Sequence, residues 1–577
     1  MPAEPVGSFA LVLHSHLPYV LLHGRSPHGT DWLTEAASES YLPLLDALYE
    51  LADSGHSPKV TIGITPVLAE QLADQSFVYE FQTYLQAKID AAARDEELFA
   101  SEGSERQAGL AAWWKAHYQK TLGSFRRRYG KSIVNGFKQL QDAGHIEIMT
   151  SSATHGYSPL LSQDTSVQAQ VKQGVKAYER HFGRKPRGYW LPECAYRPRY
   201  TWSYPAGPGG GERPVPYLRK GVEEFLAENG LSYFIIESHL LRGGQAGGVY
   251  ADRFGALKGL WSEFEKQYVP ESSEKTEYLP YWVNSHAETG RVAVFARDPE
   301  TGGQVWSAAH GYPGDEWYLE FHKKHSPGNH RYWRVTGTNA DLGDKQEYDP
   351  ARAAECVRNH AGHFAWLVKE TLRKHCDRFG SPGVICAPYD TELYGHWWFE
   401  GVDWLKEALR LMSEDPEIEL TTCGDYLEAH PPMQTVSLPE GSWGEGGFHW
   451  IWFNQATYWS WELVYDAEIR MKALASEMGD REDTSRILKQ AARELLLLES
   501  SDWQFNISSN TSADYGEARI KEHYGSLKRL ESIARTLADG GQPTEEEWDF
   551  LAYCEERDPL FPDVEPEWFA GVERPAE

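Results

Sequence analysis

The chain has 577 residues, 41% of them hydrophobic and 24% charged, and carries a net charge of −29. That length exceeds one ordinary core and predicts two or three domains. A field of that sign repels nucleic acid and anionic membranes, so the expected ligand is neutral.

In chain order, seven β-rich runs each end in polar residues and lead into a helical pattern. They are Phe9–Leu13, Lys59–Ile64, His145–Thr150, Arg187–Leu191, Ser232–Ile236, Arg291–Ala296 and Gly383–Ala387, with a weaker eighth at Ile418–Thr422. The first run lacks the basic flank of a leader and reads as a strand. No run approaches the ~18 consecutive apolar residues of a membrane span. Strands alternating with helices predict parallel βαβ units, here an α/β barrel over residues 1–400. Residues 77–142 read as an inserted helical subdomain, and the Gly-rich then charged stretch 240–285 as a lid loop. From residue 401 to 577 the pattern turns helical (Tyr458–Met478, Glu482–Glu499, Ala513–Ala538), a second domain whose first loop is placed to reach the barrel mouth. The acidic, Pro-containing tail from Asp558 reads as surface wrap or disorder. Six scattered cysteines form no C-x-x-C pair, which fits free thiols in a reducing cytoplasm.

The strand ends hold the reactive side chains: His14 and His16, Thr65, Thr154-His155, Glu193, Glu237 and His239, Arg297-Asp298, and Asp390. The C-terminal ends of barrel strands share one rim, where active sites form. Glu193 and Asp390 each follow a strand among aromatic residues. Two such carboxyls suit glycoside chemistry, one attacking the anomeric carbon and the other moving the proton. Apolar surroundings raise a carboxyl pKa and keep one of the pair protonated. Trp306, Trp317, Trp397, Trp398, Trp443, Trp450 and Trp452 stand in loop-like text, where aromatic planes can take the apolar faces of sugar rings as well as serve ordinary burial. His14-x-His16 also fits a metal-dependent amidohydrolase; Arg297 at a later strand end would repel the ion, and hydrogen bonding to sugar hydroxyls suits these imidazoles better. Arg297 is placed beside Glu193, where a cation would keep a nucleophile ionised, or else in a structural ion pair.

Five stretches, in order, resemble the signature regions of glycoside hydrolase family 57. They are His14-Ser-His-Leu-Pro-Tyr19, Thr154-His-Gly-Tyr157, Trp190-Leu-Pro-Glu-Cys-Ala-Tyr196, Tyr389-Asp-Thr-Glu-Leu-Tyr-Gly-His-Trp-Trp398 and the Trp443 loop. The Arg297–Asp315 text and the helical C-terminus are most similar to the 1,4-α-glucan branching enzymes of that family. The resemblance implies an incomplete (β/α)7 barrel with a small helical insert and a C-terminal helical domain. It implies retaining transfer on α-glucans in glycogen biosynthesis, with Glu193 as nucleophile and Asp390 as general acid/base. It further implies substrate contacts from Arg297, Gly314, Trp443 and Asp502, and a lid tyrosine, for which Tyr250 is the candidate. His14, His16, His155 and Trp306 join the expected sugar-binding set. No metal, cofactor, nucleic acid or membrane partner is expected, and the chain is expected to act as a cytoplasmic monomer. The alternatives are a hydrolytic α-amylase or a 4-α-glucanotransferase on the same scaffold, a non-catalytic glucan-binding protein and, remotely, the metal-dependent amidohydrolase.

Overall fold

The computed structural model describes residues 5–25, 28–242, 275–307, 310–337 and 339–571. Its framework is seven parallel strands: β1 (Gly7–Ser15), β2 (Val60–Ile64), β3 (Ile146–Ser151), β4 (Gly188–Trp190), β5 (Tyr233–Ile236), β6 (Ala293–Ala296) and β7 (Gly383–Asp390). Each forms from one of the seven predicted runs. Their order in the sheet is β7-β1-β2-β3-β4-β5-β6. Every residue of β1, β2 and β3 is buried, as expected of a parallel sheet covered on both faces. Register aligns β1 with β7 from Gly7 opposite Gly383 to His14 opposite Asp390.

At the far end of the order, β6 returns to β7 through one isolated bridge, Arg297 to Cys386, where the Asp298 N–H donates to the Cys386 carbonyl at 2.9 Å. The barrel is therefore incomplete, with a seam between β6 and β7. Tyr278 spans that seam. Its carbonyl accepts from the Val384 N–H at 2.8 Å, and its hydroxyl donates to Asp298 at 2.9 Å.

The sheet extends beyond residue 400. Ile418–Leu420 lies parallel to the start of β1, and Thr435–Val436 pairs with Tyr281–Val283, itself antiparallel to β6. These short strands satisfy backbone groups that would otherwise be left at sheet edges.

Between β2 and β3 lie α1 (Gln75–Ser101), α2 (Glu105–Gly123) and α3 (Ile133–Asp142). Asp74 starts α1 by accepting the Ser76 N–H at 2.7 Å. After β6 come α4 (Pro299–Trp306) and the 30-residue α5 (Pro350–Phe379). The Asp349 carboxylate accepts the N–H groups of Ala351 and Arg352 at the start of α5, Pro350 takes the first helical position, and Gly380 ends the helix at φ 71°. Phe364 of α5 meets Phe9 of β1 edge to face at 5.8 Å. The C-terminal helices are α6 (Tyr458–Met478), α7 (Glu482–Leu498), α8 (Ser501–Ser509), α9 (Ala513–Ala538) and α10 (Glu545–Arg557).

The tail after α10 corrects the expectation of surface wrap or disorder. Leu560, Phe561, Val564 and Phe569 are buried, and Asp558 is wholly buried. The Asp558 carboxylate accepts from His23 Nε2 and from Arg557 Nε, both at 2.6 Å. Arg557 also donates to Glu494 of α7 at 3.2 Å and Glu522 of α9 at 2.9 Å. The network ties the loop after β1 to three helices, so a few apolar anchors and one buried carboxylate hold a segment whose composition is polar. Removing one partner of a buried ion pair strands the others. Asp558→Ala should therefore lower unfolding free energy by about 3–5 kcal/mol, read as a lower urea midpoint at constant m. A loss below about 1 kcal/mol would make the network dispensable.

Candidate active site

β1 places His14 and His16 on one face, because alternate residues of a strand point the same way. The His14 ring stacks on Trp190 at the end of β4, with centroids 4.4 Å apart, and the His16 ring stacks on His155 at 4.0 Å. His155 sits after β3 with φ 61°, a left-handed conformation uncommon for a residue with a Cβ. His14 Nε2 and His155 Nε2 are 3.1 Å apart, and His155 Nδ1 is 2.9 Å from the Ser501 hydroxyl of α8. That hydroxyl donates to Glu193 Oε1 at 3.2 Å.

With Glu193 ionised, the proton positions follow from this chain. Ser501 gives its one hydrogen to the carboxylate, so it accepts from His155 Nδ1–H. His155 Nε2 is then bare and accepts from His14 Nε2–H, which leaves His14 Nδ1 bare. Among the described residues that nitrogen has no partner. Burial, with His16 adding to it, holds both His14 and His155 well below the usual imidazole range, so both are neutral.

His16 Nε2 donates to Asp502 at 2.9 Å, and His16 Nδ1 pairs with the Thr65 hydroxyl at 3.0 Å. Asp502 also accepts from Ser500 Oγ at 2.6 Å and lies in the first turn of α8, where a helix favours negative charge. Burial pushes its pKa up, but His16, His155 and Ser500 together outweigh burial and hold the carboxyl below the ordinary range. His16, His155 and Asp502 bring potential ligand atoms within 4.8 Å of one another. All four ring nitrogens of His16 and His155 are already in hydrogen bonds. The stacked rings, 19° apart in plane, also direct their lone pairs side by side rather than toward one point.

Glu193 follows β4 with φ 60°, and Cys194 continues at φ 48°. Two successive left-handed residues turn the chain sharply at the strand end. The Trp443 indole N–H donates to Glu193 Oε2 at 2.8 Å, and the Trp443 backbone N–H donates to the Glu193 carbonyl at 3.1 Å. The loop that carries Trp443 is clamped by paired backbone bonds between Tyr196 and Gly441. Both carboxylate oxygens of Glu193 thus accept from donors delivered by residues beyond the seventh strand. Burial pushes its pKa up to about 8, the charges of Asp390 and Asp502 push the same way, and the Trp443 and Ser501 donors pull it back.

Asp390 ends β7 beside His14. Two residues on, Glu392 accepts from the Tyr41 hydroxyl and, at 3.1 Å, from the His16 backbone N–H. Burial raises Glu392 to about 8 against those donors, with Asp390 adding to the rise.

Arg297 is not ion-paired with Glu193. Its guanidinium donates to Glu237 at 3.1 Å, because the ends of β5 and β6 are neighbours. Its carbon lies 6.0 Å from the centre of the buried Trp306 ring. Gly314 closes a turn onto the Gly311 carbonyl, and Tyr312 of that turn stacks on His360 of α5, so these contacts do not join the Glu193 cluster. Tyr250 lies outside the described residues. Ser501 went unassigned in the sequence. The Ser-Ser-Asp text before a helical pattern marks a helix start, but nothing in it points 308 residues back to Glu193.

Half-buried carboxylates at the ends of two barrel strands, with imidazoles and indoles packed around them, fit a glycoside-processing type of site. The family model for glycosyl hydrolase family 57 matches residues 10–439, and that for the C-terminal part of 1,4-alpha-glucan branching enzymes matches residues 463–569. The chain belongs to glycosyl hydrolase family 57. It is 43% identical over 526 residues to a 1,4-alpha-glucan branching enzyme of Thermococcus kodakarensis, covering 91% of this chain and 73% of that one. The crystal structure of a family 57 branching enzyme from the same archaeon superposes with a TM-score of 0.88 at 41% identity, covering 99% of this chain and 98% of that one. An alpha-amylase from Thermotoga maritima superposes at 0.79 with 31% identity, covering 98% and 99%.

The raised pKa of Glu193 has a consequence for stability. Between its unfolded value of 4.5 and about 8, the folded chain holds a proton that the unfolded chain releases. This group's contribution therefore falls as pH rises through that window. The melting temperature of Glu193→Gln should exceed that of the parent by a margin that grows up to pH about 8 and then levels off. A margin independent of pH would show that Glu193 ionises normally.

Proposed function

We propose that this chain is a cytoplasmic 1,4-α-glucan branching enzyme of glycogen biosynthesis, working by retaining double displacement with Glu193 as nucleophile and Asp390 as general acid/base. The observation that carries the reading is Glu193 itself: largely but not fully buried at the barrel mouth, held on both oxygens by donors, and within electrostatic reach of Asp390. The relatives of the branching type support the choice of reaction, and the six unpaired thiols suit a reducing compartment.

In the first step a Glu193 oxygen bonds to the anomeric carbon as the bond to the departing O4 breaks, and the Asp390 carboxyl gives that oxygen its proton. In the second step Asp390, now a carboxylate, takes the proton of a 6-hydroxyl on another glucan unit. That oxygen bonds to the anomeric carbon, the Glu193 ester breaks, and an α-1,6 branch results. The Trp443 and Ser501 donors favour the ionised form of Glu193 on which attack depends, and positive charge at the anomeric centre of the transition state favours it further. Trp443 and Trp306 offer apolar planes to the sugar. His14, His16, His155, Asp502, Arg297 and Gly314 are the proposed polar substrate contacts. No step draws on a metal or an organic cofactor.

A hydrolytic α-amylase is the second reading, favoured by the Thermotoga maritima structure. The two differ only in whether water or a sugar hydroxyl meets the glycosyl enzyme. The deciding assay is purified protein on amylose, followed by iodine colour, reducing ends and debranching. Branching gives colour loss with few new reducing ends and short chains released only on debranching. Reducing ends rising in step with colour loss would establish the amylase. Asp390→Asn should lower kcat by about 10²–10⁴-fold, and activity should survive a chelator. Loss of activity on chelation would return the metal reading.

Tyr250 is the proposed lid residue that keeps water from the intermediate. Tyr250→Ala should raise the ratio of hydrolysis to transfer in the same assay, and an unchanged ratio would remove it from the mechanism.

A further inference from the structure

Ser501, whose hydroxyl donates to Glu193, reaches it only because two distant segments are laid side by side. The Ser501 N–H donates to the His155 carbonyl at 3.1 Å, and Gly156 and Ser500 form an isolated antiparallel bridge. The stretch after β3 therefore carries the stretch before α8, and the register between them decides where the Ser501 hydroxyl points.

One side chain ties the two segments together from behind. Gln170 is wholly buried on the helix Asp164–Phe182, which follows β3 in the chain. Its amide oxygen accepts the Thr154 N–H at 3.1 Å. Its amide nitrogen donates to Glu499 at 2.7 Å and to the Thr154 hydroxyl at 3.0 Å. That hydroxyl in turn donates to the Leu496 carbonyl. The amide cannot be reversed, because a backbone N–H only donates. The Gln170 backbone carbonyl accepts the Ala153 N–H at 3.0 Å, so consecutive N–H groups just before His155 are both held by one residue. His155 itself keeps a left-handed conformation, which its surroundings must enforce. Gly156 belongs to the same fit, since a Cβ there would stand 2.9 Å from the Gln170 amide.

The other end of the clasp is Glu499, two residues before Ser501. Burial and the charge of the equally buried Glu468 push its carboxyl well above the carboxylate range, and the Gln170 and Ser166 donors oppose them. We propose that Gln170 is a positioning residue for the nucleophile: by holding Thr154 and Glu499 at once, it fixes the His155–Ser501 pair whose hydroxyl donates to Glu193. The inference rests on Glu193 being that nucleophile. Gln170 has no exposed surface, so it acts through Ser501 and not by touching the glucan.

The test is a double-mutant cycle on the full chain, reading kcat/KM on amylose between about pH 5 and 9. Gln170→Met keeps a buried side chain of similar length and removes both hydrogen-bonding groups. It should lower kcat/KM about tenfold or more at neutral pH. It should also move the acid limb of the profile to higher pH, because the Ser501 donor is one of those that hold the Glu193 carboxyl down. Ser501→Ala should behave alike, and the double variant should be no slower than the slower single one. Gln170→Glu retains the accepting oxygen and, while protonated, a donor. It should outperform Gln170→Met at low pH and lose that advantage as pH rises and its charge meets those of Glu499 and Glu468. Additive losses, an unmoved acid limb, or the same profile for both Gln170 variants would reduce the residue to packing and overturn the proposal. If Gln170→Met does not fold, the cycle of Gln170→Glu with Ser501→Ala at high pH decides by the same additivity. Glu193→Gln in the same assay separates the two layers. If it keeps the parent's activity, the nucleophile reading falls and the clasp with it, whereas additive losses beside an inactive Glu193→Gln overturn the clasp alone.

Discussion

The site depends on one costly placement, a carboxylate largely removed from water at the end of β4. Taking Glu193 out of water raises its pKa to about 8, and an unpaired charge there would be untenable. The fold answers with two neutral donors, one on each oxygen, and neither comes from a barrel strand. The Trp443 loop and the start of α8 must both be docked before the carboxylate is satisfied. The buried charge network at the tail and the paired bonds between Tyr196 and Gly441 can be understood as what secures that docking. The strained turn at Glu193 and Cys194 belongs to the same arrangement, since it sets where the side chain leaves the strand.

The imidazoles add orientation without adding charge. His14 donates to His155, His155 to Ser501 and Ser501 to Glu193, so three dipoles run toward one carboxylate. A cation in contact would depress the carboxylate's basicity, whereas aligned dipoles support the anion and leave it able to react. The positive charge that the sequence provides nearby, Arg297, is already balanced by Glu237. The −29 of the whole chain thus coexists with a site in which charge is managed locally.

The barrel could be read from the sequence because each strand is a short apolar run of β-branched and aromatic residues closed by polar ones, a local pattern that parallel, two-sided burial demands. The strand-end residues were legible for the same reason, since the end of a run is visible and its rim is shared. What was not legible is pairing at long range. Nothing in the spacing joins Ser501 to Glu193 or Tyr41 to Glu392. Arg297 and Glu237 are both strand-end residues, yet which carboxylate an arginine meets depends on strand order, and β5 lies beside β6 while β4 does not. The tail misled because composition averages over residues. Leu560-Phe561 and Trp568-Phe569 are short apolar pairs among acids and prolines, and Leu560, Phe561 and Phe569 are nonetheless buried.

The strand order also has a bearing on synthesis. β1 emerges first, yet one of its two hydrogen-bonded edges is filled by β7, whose last residue is Asp390. At roughly 5–20 residues per second, some 20–75 s pass between them on the ribosome. For that interval the oldest strand of the nascent chain, mostly apolar in its side chains, has an open edge of unpaired backbone N–H and C=O groups next to the growing polypeptide. The partner that closes it arrives after most of the barrel is made, so the vulnerable period of this chain falls in its middle age, and chaperone engagement would matter most there.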